Sequence, residues 1–180
     1  RSFHIMASHA DSPCFKIKEN PEIKEGPYVK LNVEGYGGMI MSTWLDRPLS
    51  VAGRLIVREN GHLAQKLAAV DGTMLVIPSV AIHMDRNVNH KKDWNVQKDL
   101  LPLYGLATEK TSFMDVIAAS ANVKTEDIVA HDLYLYSRVP GTIWGEEKEF
   151  ISSPKLDDLQ CAFAAFRGFM KKKKEKHISV

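Results

Sequence analysis

Two short stretches hold the side chains best suited to chemistry. In "SHADSP", residues 8–13, His9 and Asp11 flank a single residue, so on an extended backbone both project to the same side. An imidazole nitrogen is a good ligand for a divalent cation, and a nearby carboxylate can accept the other ring N–H and fix the tautomer. The same pair also suits a structural role, a strand-end histidine held by its aspartate. In "SSPKLDDL", residues 152–159, Asp157 and Asp158 are adjacent carboxylates at the start of a segment with helical periodicity. They either complement the positive end of a helix or turn one carboxylate toward a metal. Spacing alone leaves both choices open.

The remaining chemistry-bearing residues point elsewhere. "GYGG" (35–38) lacks the lysine and the helix of a phosphate loop and reads as a turn or bulge. Glu146 and Glu147 follow "GTIWG" and read as a solvated loop. Cys14 and Cys161 lack a C-x-x-C context and read as small buried hydrophobes. Trp44, Trp94 and Trp144 read as packing residues, with at least one expected at a subunit contact.

Several elements must position these residues. Residues 3–8 read as a buried strand and 14–18 as a short half-buried one. The Pro- and Gly-punctuated stretch 19–27, "ENPEIKEGP", predicts a domain boundary. Residues 28–38 alternate through Val29, Leu31 and Val33. Strands near 49–58 and 62–70 flank Asn60-Gly61, a strong hairpin signal. Residues 73–78 predict another strand, so 28–78 reads as a mostly antiparallel β unit. Ser112 and Asp115 have capping-box spacing ahead of a helix within 111–123. Residues 125–137 begin as a helical turn and continue as a strand through Leu133 and Leu135. Leu159, Phe163, Phe166 and Met170 predict a helix from about 157 to 174, with the lysines 171–174 at its cation-favouring end. "HISV" (177–180) reads as the opening of a strand. A chain that starts and stops almost inside strands suggests a piece of something larger.

Composition narrows the function classes. The chain has 180 residues, 44% of them apolar and 26% charged, with a formal net charge of +2. That is ordinary for a globular protein and gives no global reason to expect nucleic-acid or membrane-surface binding. Two cysteines are too few for a disulfide scaffold and favour a reducing, cytoplasmic location.

Taken together, "SHADSPCFKIK", "GYGGMIMSTWLDRPLSVAGR", "IPSVAIHMDRNVN", "DLYLYSRVPGTIWG" and "ISSPKLDDL", in this order, closely resemble the aspartyl aminopeptidase and aminopeptidase I family of dinuclear zinc metallopeptidases. The resemblance covers nearly the whole chain from about Ser8 to Phe169. It implies that His9 binds one zinc, that Asp11 orients it, and that Asp157 bridges two zincs. Asp158 stands where relatives often carry Asn, so no ligand role passes to it. His83, in "AIHMDRN", matches a histidine that a neighbouring subunit inserts near the active site to help bind substrate. The implied chemistry is hydrolysis of N-terminal residues, acidic ones among them, with two divalent cations lowering the pKa of a shared water and a glutamate as general base.

The implied fold class is α/β, a mixed-sheet catalytic domain interrupted by a β-rich lid and oligomerisation domain. Residues 1–18 and 148–180 would then be catalytic and 19–147 the insert, which would join subunits into a homo-oligomer. The family places an adjacent glutamate pair, then an aspartate and a histidine, after the strand that "HISV" opens. The expectation is therefore that these 180 residues alone supply only His9 and Asp157 and do not hydrolyse peptides. The competing expectation is a non-catalytic oligomerisation and lid module derived from the same family.

Overall fold

The computed structural model describes residues 3–107, 112–171 and 178–179. Its core follows from period-two alternation. Phe15 and Ile17, Leu31 and Val33, Leu49 and Val51, Leu55 and Val57, and Leu133 and Leu135 are all at most 2% exposed, while the residues between them are more exposed or polar. Each strand therefore has one face that must be covered.

The strands are β1 (Phe3–His4), β2 (Cys14–Glu25), β3 (Tyr28–Tyr36), β4 (Leu49–Glu59), β5 (His62–Ala69), β6 (Leu103–Leu106), β7 (Ile128–Ser137), β8 (Thr142–Trp144), β9 (Phe150–Ser152) and β10 (Ile178–Ser179). The helices are α1 (Val96–Asp99), α2 (Phe113–Ser120) and α3 (Leu156–Lys171). Six strands form one antiparallel sheet in the order β5-β4-β7-β2-β3-β6. Phe113 and Ile117 of α2 join its buried face. The β4–β5 hairpin turns at Asn60 and Gly61, both at positive φ (52° and 80°), as the Asn-Gly signal predicts. Where β4 crosses β7, Gly53 lies so close that a Cβ would collide with the Asp132 carbonyl, so only glycine permits that approach.

The capping box forms as spaced. The Ser112 hydroxyl accepts the Asp115 N–H at 3.2 Å and the Asp115 carboxylate accepts the Ser112 N–H at 3.4 Å. The short turn at Thr125–Asp127 and the strand after it also match expectation. Residues 178–179, within "HISV", pair in parallel with Phe3 and His4, so this stretch does carry a strand.

Other expectations are corrected. Residues 3–8 form only the two-residue β1, and Phe3 and Ile5 are exposed. The stretch 19–27 is regular rather than loop-like: β2 runs through it and turns at Gly26 into β3. Pro21 is tolerated because the β2–β3 register shifts between Ile17 and Glu22, at a bulge. Residues 73–78 make isolated bridges at Leu75, Val76 and Ile77 rather than a ladder. Cys161 is exposed and Cys14 only half-buried. On α3 the apolar stripe of Leu159, Phe163, Phe166 and Met170 is likewise exposed.

The chain divides into two compact units, residues 1–12 with 139–180, and residues 13–138. Strand pairing accounts for these two units. Residues 14–17 pair in register with 33–36 of β3, and Phe15 and Ile17 sit in that unit's core. Thr142 to Trp144 pair with Phe150 to Ser152, which keeps 142–147 with the other unit.

Candidate metal centre

The segment after β1 and the turn that opens α3 lie in the same unit and meet. The His9 Nδ1 lies 2.6 Å from Asp158 Oδ2 and 3.3 Å from Asp11 Oδ1. The Ser12 hydroxyl donates to the Asp157 backbone carbonyl at 3.0 Å. "SHADSP" and "SPKLDDL" are thus tied at two points, one through side chains and one through the backbone.

Local geometry explains how the carboxylates are presented. Asp157 (φ −87°, ψ 108°) and Asp158 (φ −125°, ψ 22°) are not helical, although they fall within α3. They occupy an irregular turn ahead of the regular helix, where both carboxylates stand at the helix N-terminal end. Lys155, just before them, has φ 64°, which turns the chain sharply into that segment.

An imidazole nitrogen held between two carboxylate oxygens carries the proton, so Nδ1–H donates and Nε2 keeps its lone pair. Histidine in that tautomer is set to bind a cation through Nε2. Asp158 Oδ1 is buried and has no hydrogen-bond partner among the described residues, which is a costly state for a carboxylate oxygen unless a cation or donor meets it. Imidazole and carboxylate are donor types that zinc accepts, and here the Asp11 and Asp158 carboxylates are engaged with His9 Nδ1. The number of converging donors does not complete a site: among the described residues no three or more His, Cys, Asp or Glu are grouped to hold a metal ion.

The sequence singles out His9, Asp11 and Asp157, and the fold brings His9 and Asp11 side by side, with Asp157 one residue from the carboxylate that touches His9. Sequence reasoning assigned no role to Asp158 and did not weigh Ser12. Asp158 makes the shorter contact to His9, and only the three-dimensional meeting of remote segments shows it. His83 lies in the other unit, exposed, within a turn closed by the Met84 N–H to the Ala81 carbonyl at 2.8 Å. Glu146 and Glu147 are exposed, as expected of a loop.

Residues 1–180 match the family model described as "Aminopeptidase I zinc metalloprotease (M18)". The chain is 42% identical over 185 residues to a Clostridium novyi protein named "Probable M18 family aminopeptidase 2", covering 99% of this chain and 43% of that one. It is 34% identical over 192 residues to the Caenorhabditis elegans "Aspartyl aminopeptidase", covering 93% of this chain and 41% of that one. In fold it is similar to the solved Chaetomium thermophilum mApe1, with a TM-score of 0.83 and 27% identity over 99% of this chain and 44% of that chain. The chain therefore spans about two fifths of the length of these curated relatives. The meeting of an imidazole with carboxylates and a family match over every residue lead to one conclusion: the chain belongs to the aminopeptidase I (M18) family of zinc metalloproteases.

Proposed function

We propose that this chain supplies the first ligands of a dinuclear zinc centre in an aminopeptidase that removes N-terminal residues, acidic ones among them, from peptides. His9 would hold one zinc, Asp157 would be shared by both, and Asp11 would act as the catalytic-site carboxylate that orients His9. The observation that carries the reading is the 2.6 Å contact between His9 and the carboxylate next to Asp157, in a chain whose family is described as zinc metalloproteases. The name of the C. elegans relative supports the acidic preference.

When bound, the zinc ions would supply Lewis acidity and lower the pKa of water. The residues of this chain prepare that site. Asp158 and Asp11 hold the Nδ1 proton of His9, which keeps Nε2 basic and aimed. Ser12 fixes the backbone of Asp157 and so limits how its carboxylate can swing. The remaining ligands and the general base are assigned to the part of the family length that lies outside these residues.

Residues 19–147 are proposed as the insert that lids the site, joins subunits into a homo-oligomer and presents His83 to a neighbour's substrate. Exposed Leu63 and Leu67 on the edge strand β5 support an interface there. Cys14 and Cys161, neither in a disulfide, support a reducing, cytoplasmic setting. The second reading, a non-catalytic assembly module, draws on the incomplete donor set.

The deciding experiment extends the chain to family length. Zinc-dependent release of N-terminal residues is expected, and His9→Ala should abolish it. Activity that survives His9→Ala contradicts the reading. The 180-residue chain alone should neither bind two zinc ions tightly nor cleave peptides, and doing both would exclude the assembly-module alternative.

A further inference from the structure

We propose that Lys92 is a positioning residue: clamped between Asp85 and Asp99, its ammonium holds the loop that carries His83 in one shape. The proposal rests on the reading of His83 given above.

The loop of residues 78–95 contains neither strand nor helix, and irregular segments of this length are usually functional when they are ordered. Hydrophobic packing does not order its apex. Val80, Ile82 and Met84 are 60%, 49% and 77% exposed. Polar contacts must do it instead. At the entry, Asp46 Oδ1 accepts the Ser79 N–H at 2.8 Å, and hydrogen bonding from the Ser79 side chain, then from this N–H, holds the Asp46 carboxyl below the usual range. At the return, Lys92 Nζ lies 2.8 Å from Asp85 Oδ2, 3.6 Å from Asp99 Oδ1, and over the Trp94 ring at 5.4 Å.

The clamp is anchored to the sheet. Asp99 Oδ2 accepts the Asn95 N–H at 2.9 Å, and Gln97 Nε2 donates to the Val33 carbonyl of β3 at 2.6 Å. A continuous path thus runs from β3 through α1 to Lys92 and on to Asp85, two residues from His83. The hydrogen bond between them holds Asp85 below its ordinary range and Lys92 above. Neighbouring Lys91 provides an internal comparison. Its pair with Asp93 is 4.0 Å long with side chains 83% and 89% exposed, whereas Lys92 and Asp85 are 27% and 21% exposed. Water and salt weaken the first pair far more than the second.

Amide hydrogen exchange on the 180-residue chain tests the clamp. Lys92→Met keeps most of the aliphatic stem but leaves two carboxylates facing each other. It should speed exchange across residues 80–88 by about tenfold or more while the sheet amides hold their rates. Lys92→Arg should restore the wild-type rates, and Lys91→Met should change nothing. In the enzyme at family length, His83→Ala and Lys92→Met should both raise KM more than they lower kcat, and the double variant should be no worse than His83→Ala. Unchanged exchange in Lys92→Met, or unchanged KM in Lys92→Met where His83→Ala raises it, overturns the proposal. Unchanged KM in His83→Ala itself overturns the reading of His83 on which it rests.

Discussion

His9 and Asp158, near opposite ends of the sequence, form an imidazole–carboxylate contact of 2.6 Å. Asp11, two residues from His9, reaches the same nitrogen only at 3.3 Å. The partner remote in sequence is therefore the closer one in space.

This order gives a first prediction. Loss of a carboxylate that orients a metal-binding histidine costs about 10–100-fold in metal affinity or activity. In the zinc-loaded enzyme at family length, Asp158→Ala should lower zinc affinity by a larger factor than Asp11→Ala, measured by competition with a chelator. Equal effects, or a larger effect at Asp11, would mean that the shorter contact is not the one that sets the histidine.

The stability of the sheet unit separates two kinds of loss. Leu133 is fully buried between its neighbours in the core, and truncating such a leucine costs about 2–5 kcal/mol. Ser112 caps α2 with a reciprocal pair of bonds, and removing an N-cap costs about 1 kcal/mol. Denaturant unfolding should rank Leu133→Ala well below Ser112→Ala, with both below wild type. A Ser112→Ala chain as stable as wild type would show that the cap adds nothing beyond tertiary packing.

Acid sensitivity should trace to His131. Burial pushes its pKa below the ordinary value of 6.5, with Glu19 opposing. The folded state then binds this proton less readily than the unfolded state. Stability is present above about pH 6.5 and falls as pH drops from there toward the lowered folded value. His131→Gln should flatten that part of the stability–pH curve. A curve of unchanged slope would place the acid sensitivity on other groups.

Much of the fold was legible because it is local. The β4–β5 hairpin follows from Asn60-Gly61 and alternation, the α2 start from Ser112 and Asp115, and β7 from Leu133 and Leu135. The misreadings have physical causes. Pro21 and Gly26 hid the continuous strand β2 because a bulge that accommodates proline depends on the partner strand, which the local sequence does not reveal. The apolar alternation of residues 73–78 buries Leu75 and Ile77 without the continuous backbone pairing of a strand. At the candidate site, His9 and Asp11 were legible from spacing. The contact from Asp158 was not, because it depends on an irregular turn meeting a distant loop.

The most direct test of the account is a zinc-edge anomalous difference map of the zinc-loaded enzyme at family length. The account predicts two peaks sharing the Asp157 carboxylate, one of them bonded to a His9 ring nitrogen at about 2.0–2.1 Å. Zinc found away from both residues, with His9 still paired only to Asp158 and Asp11, would contradict it.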